Sequence, residues 1–319
     1  MSAKASGNSL LAARQKFAAG ELSRFQYVDE FHRHNALLFD YPAFLAGTDV
    51  QELRITAQGV TVRSAAHDVA LFIDPVDLHS IGYTLMLMGQ YERPETDFLK
   101  SVCGNDGVFL DIGANLGWYS LVLGRRFSGA RIYAFEPIPG TFAALRRNIG
   151  LNALENIEAV RLGMFNKTGE MNFLFAEDVS GATSLKLVGQ TRGQAPVREI
   201  ACPTTTLDSF CADRNVVPSL VKIDVEGAEL MVAQGAETTL AHAPVLMMEL
   251  LRKWSREFGY HPDDVLALLA KHGYEAWAFA ANGKAAKLEP CPAITEETVQ
   301  TNFVFLHPQE HAAIIRQWT

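Results

Sequence analysis

Acidic residues that end apolar, strand-like segments are the side chains of this chain best suited to chemistry. Asp111 ends the apolar segment 108–111 and is followed by Gly113, Asn115 and Gly117. Glycine permits left-handed or closely packed backbone, and asparagine tolerates left-handed geometry better than most residues. A strand, a tight turn and a helix in this order present backbone N–H groups to a small ligand. The sequence therefore predicts a small-molecule site at this turn.

A second acid, Glu136, follows the strand-like segment 131–135 and lies 25 residues after Asp111. An acid at about 20 residues from such a turn typically receives the hydroxyls of a ribose, and one carboxylate can accept from both. Because Asp111 would repel a pyrophosphate but attract a cation, the two acids favour S-adenosylmethionine. A NAD or FAD site is disfavoured because the Gly-x-Gly-x-x-Gly spacing is absent. A strand–helix–strand unit without a nucleotide stays open as an alternative.

Two further acids end strand-like segments later in the chain. Asp224 ends 220–224, with Glu226 in the glycine turn that follows, and Glu249 ends 245–249. Ligands of open α/β sheets bind at the carboxyl ends of the strands. We therefore expect all these acids at one edge of the sheet.

Strand and helix patterns alternate regularly from residue 108, which predicts an α/β fold with a mostly parallel sheet. Segments 171–175 and 199–202 are expected to pair as edge strands, with a mobile loop at 180–184 between them. Strand-like segments 274–279 and 302–306 are joined by a connection without a helix pattern, so the last strand is expected to be antiparallel.

The N-terminal part has a different character. Residues 1–47 show helical spacing of apolar residues, and 52–56 and 60–63 alternate as in a β-hairpin. We predict a small α+β appendage at 1–74, suited to forming a homodimer or covering a substrate, and a main domain at 75–319.

The segment that enters the main domain is expected to lie over the pocket. Tyr91, Glu92 and Thr96 are candidates to line it, and a plain helix start with acids in its first turn is the alternative.

The composition of the chain limits the classes of function that it can have. The chain has 319 residues, 48% hydrophobic and 20% charged, with a net charge of −8. The negative charge disfavours a nucleic-acid partner. No apolar run reaches the roughly 18 residues of a membrane span, and the N-terminus lacks the apolar core of a signal peptide. The four cysteines lack Cys-x-x-Cys spacing, so we expect reduced thiols in a cytoplasmic protein.

Five segments, taken in order, resemble the FkbM-type methyltransferase family, and Lys-Ile-Asp-Val-Glu-Gly is the most specific piece. They are Val-Phe-Leu-Asp-Ile-Gly-Ala-Asn-Leu-Gly-Trp-Tyr-Ser (108–120), Ala-Phe-Glu-Pro (134–137), Thr-Leu-Asp-Ser-Phe (206–210), Val-Lys-Ile-Asp-Val-Glu-Gly-Ala-Glu (221–229) and Asn-Phe-Val-Phe (302–305). The resemblance covers roughly 75–306. It implies a Rossmann-like class I methyltransferase fold with a seven-stranded sheet. It also implies S-adenosylmethionine as methyl donor and a hydroxyl acceptor on a sugar, glycan or polyketide-type natural product.

The predicted site follows from the turn, the strand ends and this resemblance. The expected cofactor-binding residues are Asp111, Gly113, Ala114, Asn115, Gly117, Tyr119, Ser120, Glu136, Pro137, Met164 and Asp224. The expected catalytic residues are Asp224, Glu226 and Glu249. Backbone groups of 162–165 are placed to touch an adenine edge.

An alcohol acceptor must lose its proton, so a base is expected. Asp224 is the first candidate, followed by Glu226 and Glu249 and then His79, with orientation or helix capping as the alternative role. Asp224 and Glu249 offer oxygen ligands for magnesium or calcium, but two acids are few, so no metal is predicted. Rival functions on the same fold are N-methylation, nucleic-acid methylation and non-catalytic nucleotide binding. The acidic charge and the lack of an Asn/Asp-Pro-Pro-Tyr/Phe segment after 224 disfavour methylation of nucleic acid.

Overall fold

The computed structural model describes residues 10–77, 80–175, 197–280 and 287–319. The chain divides into two units, Met1–Thr48 and Asp49–Thr319. The described strands are β1 (Val50–Thr56), β2 (Gly59–Ser64), β3 (Ala70–Ile73), β4 (Val108–Ile112), β5 (Arg131–Phe135), β6 (Ile157–Val160), β7 (Gly163–Met164), β8 (Gly169–Phe175), β9 (Arg198–Thr205), β10 (Leu220–Ile223), β11 (Val245–Glu249), β12 (Glu275–Phe279), β13 (Leu288–Pro290) and β14 (Asn302–Leu306).

Thirteen α-helices are present among the described residues. They are α1 (Leu10–Ala18), α2 (Arg24–Asn35), α3 (Tyr41–Leu45), α4 (Ile81–Met88), α5 (Arg93–Val102), α6 (Trp118–Arg126), α7 (Pro139–Leu151), α8 (Leu207–Arg214), α9 (Glu229–Gln234), α10 (Glu237–Ala241), α11 (Arg252–Glu257), α12 (Pro262–Lys271) and α13 (Ala312–Trp318). Among the described residues, none of these helices is long and apolar enough to cross a bilayer.

The first unit is helical, which confirms the helical spacing predicted for this part of the chain. Gly20, with φ +75°, separates α1 from α2. Helix α2 begins at a capping box in which the Ser23 hydroxyl accepts from the Gln26 N–H and the Gln26 side chain accepts from the Ser23 N–H. The Phe17 and Tyr27 rings stack with their centres 4.6 Å apart, and the Tyr41 and Phe44 rings meet edge-on. A short 3₁₀ turn lies at Ala36–Phe39.

The predicted hairpin forms a three-stranded antiparallel sheet in the order β1-β2-β3. Two asparagines of helix α7 and its C-terminal cap bind the backbone of β3. Asn152 Oδ1 accepts from the Ala70 N–H at 2.8 Å, and Asn148 Oδ1 accepts from the Phe72 N–H at 3.0 Å. The appendage was predicted to end at residue 74, whereas the chain divides after Thr48. The side-chain amides of Asn148 and Asn152 tie the hairpin sheet to the main domain.

The central sheet has the strand order β13-β12-β14-β11-β10-β4-β5-β6. Strands β11, β10, β4, β5 and β6 are parallel, and β14 is antiparallel to both of its neighbours. This confirms the predicted α/β fold with a mostly parallel, Rossmann-like sheet and the antiparallel last strand. The sheet has one strand more than the seven expected. The extra strand, β13, pairs at the edge with β12, where a proline is tolerated because edge N–H groups need no partner.

A small third sheet, in the order β7-β9-β8, follows β6. Strands β8 and β9 are antiparallel with Met171 opposite Cys202, which confirms the predicted pairing. Strand β7 joins them by parallel pairing of Gly163 with Thr204. We call the β8–β9 hairpin the ribbon. The predicted mobile loop at 180–184 lies outside the described residues.

The glycine turn after β4 brings two strand ends into contact. Gly113 has φ +76°, and a Cβ on it would lie 1.8 Å from the backbone carbonyl oxygen of Asp224, at the end of β10. Asn115 is also left-handed, with φ +50°, as its residue type indicated. Only a residue without a side chain allows this approach of the β4 and β10 ends.

We predict that Gly113→Ala lowers the free energy of unfolding by about 3 kcal/mol or more, since it adds a steric overlap to backbone strain. Gly140→Ala is the matched control, because a Cβ there meets nothing within 4 Å and sits in a helix. The control should change the stability by no more than about 1 kcal/mol, in the stabilising direction. Urea unfolding measures both variants, and equal stabilities would contradict this description of the turn.

Candidate active site

A cleft of about 630 Å³ opens at the carboxyl ends of β4, β5 and β10. Its described lining residues are Ile112, Gly113, Asn115, Glu136, Pro137, Leu162, Gly163, Met164, Phe173, Asp224, Val225, Glu226 and Ala228. The lining is polar near the ends of β4 and β10 and apolar near β7 and the ribbon.

The structure brings together many of the predicted site residues in this cleft. Gly113, Asn115, Glu136, Pro137, Met164, Asp224 and Glu226 all line it. Phe173 and Ala228 line it as well and were missed by sequence reasoning. Phe173 lies on a predicted edge strand, but no local signal indicates which face of that strand meets the cleft.

Asp111 and Ser120 lie behind the glycine turn and are both buried. Asp111 Oδ2 accepts from the Ser120 hydroxyl at 2.6 Å and from the Ser120 N–H at 3.2 Å. Among the described residues, Asp111 Oδ1 has no hydrogen-bond partner. Burial raises the pKa of Asp111, against the opposing effects of Lys222 and these hydrogen bonds. Their predicted contact with a cofactor stays a prediction.

The other predicted residues of this region support the turn. A Cβ on Gly117 would lie 2.5 Å from Leu145 Cδ1, so this glycine allows α6 to pack against α7. The N–H of Ala114 donates to the Phe135 carbonyl at 2.9 Å. The Tyr119 hydroxyl donates to the Glu92 carboxylate.

The segment that enters the main domain, which carries Tyr91, Glu92 and Thr96, contacts the start of α6. Besides the contact of Glu92, the Trp118 indole N–H donates to the Thr96 hydroxyl at 2.9 Å. The Tyr91 ring stands edge-on to Trp118, with ring centres 5.6 Å apart. The predicted pocket-lining role of Tyr91, Glu92 and Thr96 stays a prediction, because these side chains border α6.

Glu136 is buried at the end of β5. Its Oε1 accepts from the Ile138 N–H at 3.0 Å. Burial raises the pKa of Glu136 to about 7, although backbone hydrogen bonds oppose the shift. The carboxylate therefore titrates near neutrality while no ligand is bound.

Lys222 is a functional candidate that sequence reasoning missed. It is buried on β10, and its Nζ lies 2.9 Å from Asp224 Oδ2 and 3.4 Å from the Gly113 carbonyl oxygen. Burial acts to lower the pKa of Lys222, but the carboxylates of Asp224 and Asp111 outweigh it and raise the pKa above its ordinary value. The only sequence signal was a lysine inside an otherwise apolar strand.

Three carboxylates meet at the ends of β10 and β11. Asp224, Glu226 and Glu249 each place an oxygen within 4.8 Å of the other two. Burial and the neighbouring acids raise the pKa of Glu249 to about 10 and that of Glu226 well above its ordinary value. The protonated form is therefore favoured for both side chains. The set offers three oxygen ligands to a hard cation, one more than the sequence analysis counted. His79 lies outside the described residues.

Glu229, another buried acid, shapes the turn that carries Glu226. Glu226 itself is left-handed, with φ +53°. Glu229 Oε1 accepts from the N–H groups of Val225 at 3.2 Å and Gly227 at 3.0 Å. The Tyr260 hydroxyl lies 3.1 Å from Glu229 Oε2. Glu229 is the last residue of the motif at 221–229, but no local sequence signal indicates this supporting role.

Comparison with known proteins gives a family. Residues 111–276 match the model of the methyltransferase FkbM domain. Methyltransferase 1 of Beauveria bassiana is 26% identical over 151 residues, covering 42% of this chain and 59% of that protein. The hexuronic acid methyltransferase AglP of Haloferax volcanii is 28% identical, covering 56% and 69%. The 31-O-demethyl-FK506 methyltransferase FkbM of Streptomyces tacrolimicus is 29% identical, covering 41% and 59%.

The match thus spans less than two thirds of two of these three relatives. The family model itself covers the glycine turn, Glu136 and the ribbon. It also covers the acidic cluster formed by Asp224, Glu226 and Glu249. Together with the strand order, it confirms the resemblance carried by the five sequence segments: this chain belongs to the FkbM methyltransferase family.

Proposed function

We propose that the protein transfers the methyl group of S-adenosylmethionine to a hydroxyl group of a sugar, a glycan or a polyketide-type natural product. The observation that carries the proposal is the position of Glu136, Asp224 and Glu226 in one cleft at the carboxyl ends of parallel strands. Relatives in this family include a methyltransferase of a hexuronic acid and one of a demethylated FK506.

The cleft fits this methyl donor. A Cβ on Gly113 would fill the turn, and the buried Asp111 Oδ1 behind it has no partner among the described residues. Buried carboxylate oxygens ordinarily have one. Glu136 would hold the ribose hydroxyls, and Asn115 would lie beside them. The donor, when bound, supplies a methyl group on a positively charged sulfur, which the surrounding acids favour.

The acidic cluster of Asp224, Glu226 and Glu249 suits an acceptor with several hydroxyl groups. Asp224 is the proposed base, since it lines the cleft and its charge is paired with Lys222 at 2.9 Å. Glu226 and Glu249, whose raised pKa values favour the protonated form, can donate hydrogen bonds to acceptor oxygens. Holding the acceptor oxygen near the methyl group supplies most of the rate enhancement in such a displacement.

The first unit remains a proposed contact surface. Phe25, Leu37 and Phe39 are large apolar side chains there that are mostly exposed. Exposed apolar groups of this size support the homodimer or substrate cover predicted for the N-terminal part.

We predict that Asp224→Asn lowers turnover by about 10²- to 10⁴-fold, the usual contribution of a positioned base. Binding of S-adenosylhomocysteine, measured by calorimetry, should stay nearly unchanged. Asp213→Asn, on the exposed face of α8, is the control and should keep full turnover. Turnover of Asp224→Asn equal to that of the parent would remove Asp224 from this role.

We predict that the affinity for S-adenosylhomocysteine falls as the pH drops below about 7. The ionised Glu136 carboxylate accepts from the ribose hydroxyls, and its pKa of about 7 means that it gains a proton in this range. Glu136→Gln should bind about 10- to 100-fold more weakly at pH 8, because a hydrogen bond to a charged group is lost. The variant should also lose the pH dependence. An unchanged pH profile in Glu136→Gln would count against the ribose assignment.

We predict that methyl transfer survives exhaustive chelation of divalent cations. Lys222 already pairs with Asp224, and the raised pKa values of Glu226 and Glu249 disfavour the charged forms that would bind a cation. Complete loss of turnover that magnesium restores would show instead that the three acids hold a metal ion. A variant without Glu249, Glu249→Gln, should then lose the magnesium response.

A further inference from the structure

We infer that Phe173, on the ribbon, is the residue against which the adenine ring of the methyl donor packs. This inference rests on the proposed function, because it assumes that the cleft takes an adenosine. It adds a contact from outside the central sheet to the contacts at the strand ends.

One part of the cleft is acidic and another part is apolar. Glu136, Asp224 and Glu226 make one part acidic, whereas Leu162, Met164 and other apolar residues line the part near β7. A ligand that fits both parts has a polar, positively charged portion and a flat apolar one. Across the sheet the strands run in the order β10-β4-β5-β6, so Glu136, which follows β5 and suits a ribose, lies between Asp224 and the apolar segment after β6. The base of the nucleoside therefore falls to the apolar part.

Phe173 is the single aromatic residue among the described residues that line the cleft. The edge of its ring packs against the backbone of Gly163. A Cβ added to Gly163 would lie 2.8 Å from Phe173 Cζ and 3.4 Å from Cε2. The same Cβ would lie 3.1 Å from Thr204 Cγ2, so Gly163 leaves the space that the ring edge occupies. An aromatic ring beside a nucleoside pocket is suited to stacking, which is independent of base identity.

The ribbon fixes the position of this ring. Phe173 on β8 lies opposite Ile200 on β9, and Thr204 on β9 pairs with Gly163 on β7. The Phe165 N–H also donates to the Thr205 carbonyl at 2.9 Å. The backbone of the ribbon is therefore hydrogen-bonded to the segment that follows β6, which carries Leu162 and Met164. The ring and the rest of the apolar lining are parts of one hydrogen-bonded unit.

The test is calorimetry of the full chain with two ligands. S-adenosylhomocysteine carries the adenine, and S-ribosylhomocysteine lacks it. Phe173→Ala should weaken binding of S-adenosylhomocysteine by about 10- to 100-fold, the factor expected when an aromatic–base contact is lost. Its affinity for S-ribosylhomocysteine should equal that of the parent. Phe173→Tyr, which keeps the ring, should restore binding to within about threefold of the parent.

Phe175→Ala is the matched control, because Phe175 lies two residues further on the same face of β8 and is not among the cleft-lining residues. It should bind both ligands as the parent does. Phe173→Leu keeps apolar volume without a ring, and it replaces the alanine variant if thermal unfolding shows that variant to be unfolded. It should weaken binding of S-adenosylhomocysteine by about fivefold or more.

Two results overturn the inference alone: Phe173→Ala binding S-adenosylhomocysteine as tightly as the parent, or losing affinity equally for both ligands. The second result would mean that the substitution distorts the whole cleft. A parent protein that binds neither ligand would overturn the proposed function, and the inference with it.

Discussion

The ion pair between Lys222 and Asp224, 2.9 Å long and set between the ends of β4 and β10, is the interaction on which the site depends. The lysine side chain is nearly inaccessible to solvent, whereas the aspartate is about a third exposed and lines the cleft. A buried ammonium without a partner would be strongly unfavourable, so the aspartate and the Gly113 carbonyl must stay in place. Gly113 makes this possible, because any side chain there would overlap the backbone of Asp224.

This arrangement places neighbouring acids in different electrostatic surroundings. Asp224 has a cation beside it, whereas burial and like charges raise the pKa of Glu226 and Glu249. A carboxylate paired with a cation, beside two acids whose protonated forms are favoured, makes a set that can accept a proton and also donate hydrogen bonds. Glu136, whose pKa is raised to about 7, lies at the end of β5. Acids that look alike in the sequence are thus suited to different tasks by their surroundings.

Local patterns carried most of the fold prediction, because apolar segments with acids at their ends are visible without tertiary contacts. Asn115 was expected in a left-handed turn, and it has φ +50° there. Lys222 was missed because its burial against the turn at Gly113, which lies far away in sequence, has no local signal. The direction of Phe173 depends on the register of the ribbon, and the edge strand at Leu288–Pro290 contains a proline that local patterns assign to a loop. These features are decided by long-range packing.

The central claim is that acids along one edge of a parallel sheet hold a positively charged nucleoside and direct its methyl group to a hydroxyl oxygen. A crystal structure of the protein with S-adenosylhomocysteine tests it most directly. The claim predicts the ribose hydroxyls against the Glu136 carboxylate and the sulfur at the Asp224 end of the cleft. A nucleoside bound away from this edge, or no binding at saturating ligand, would contradict it.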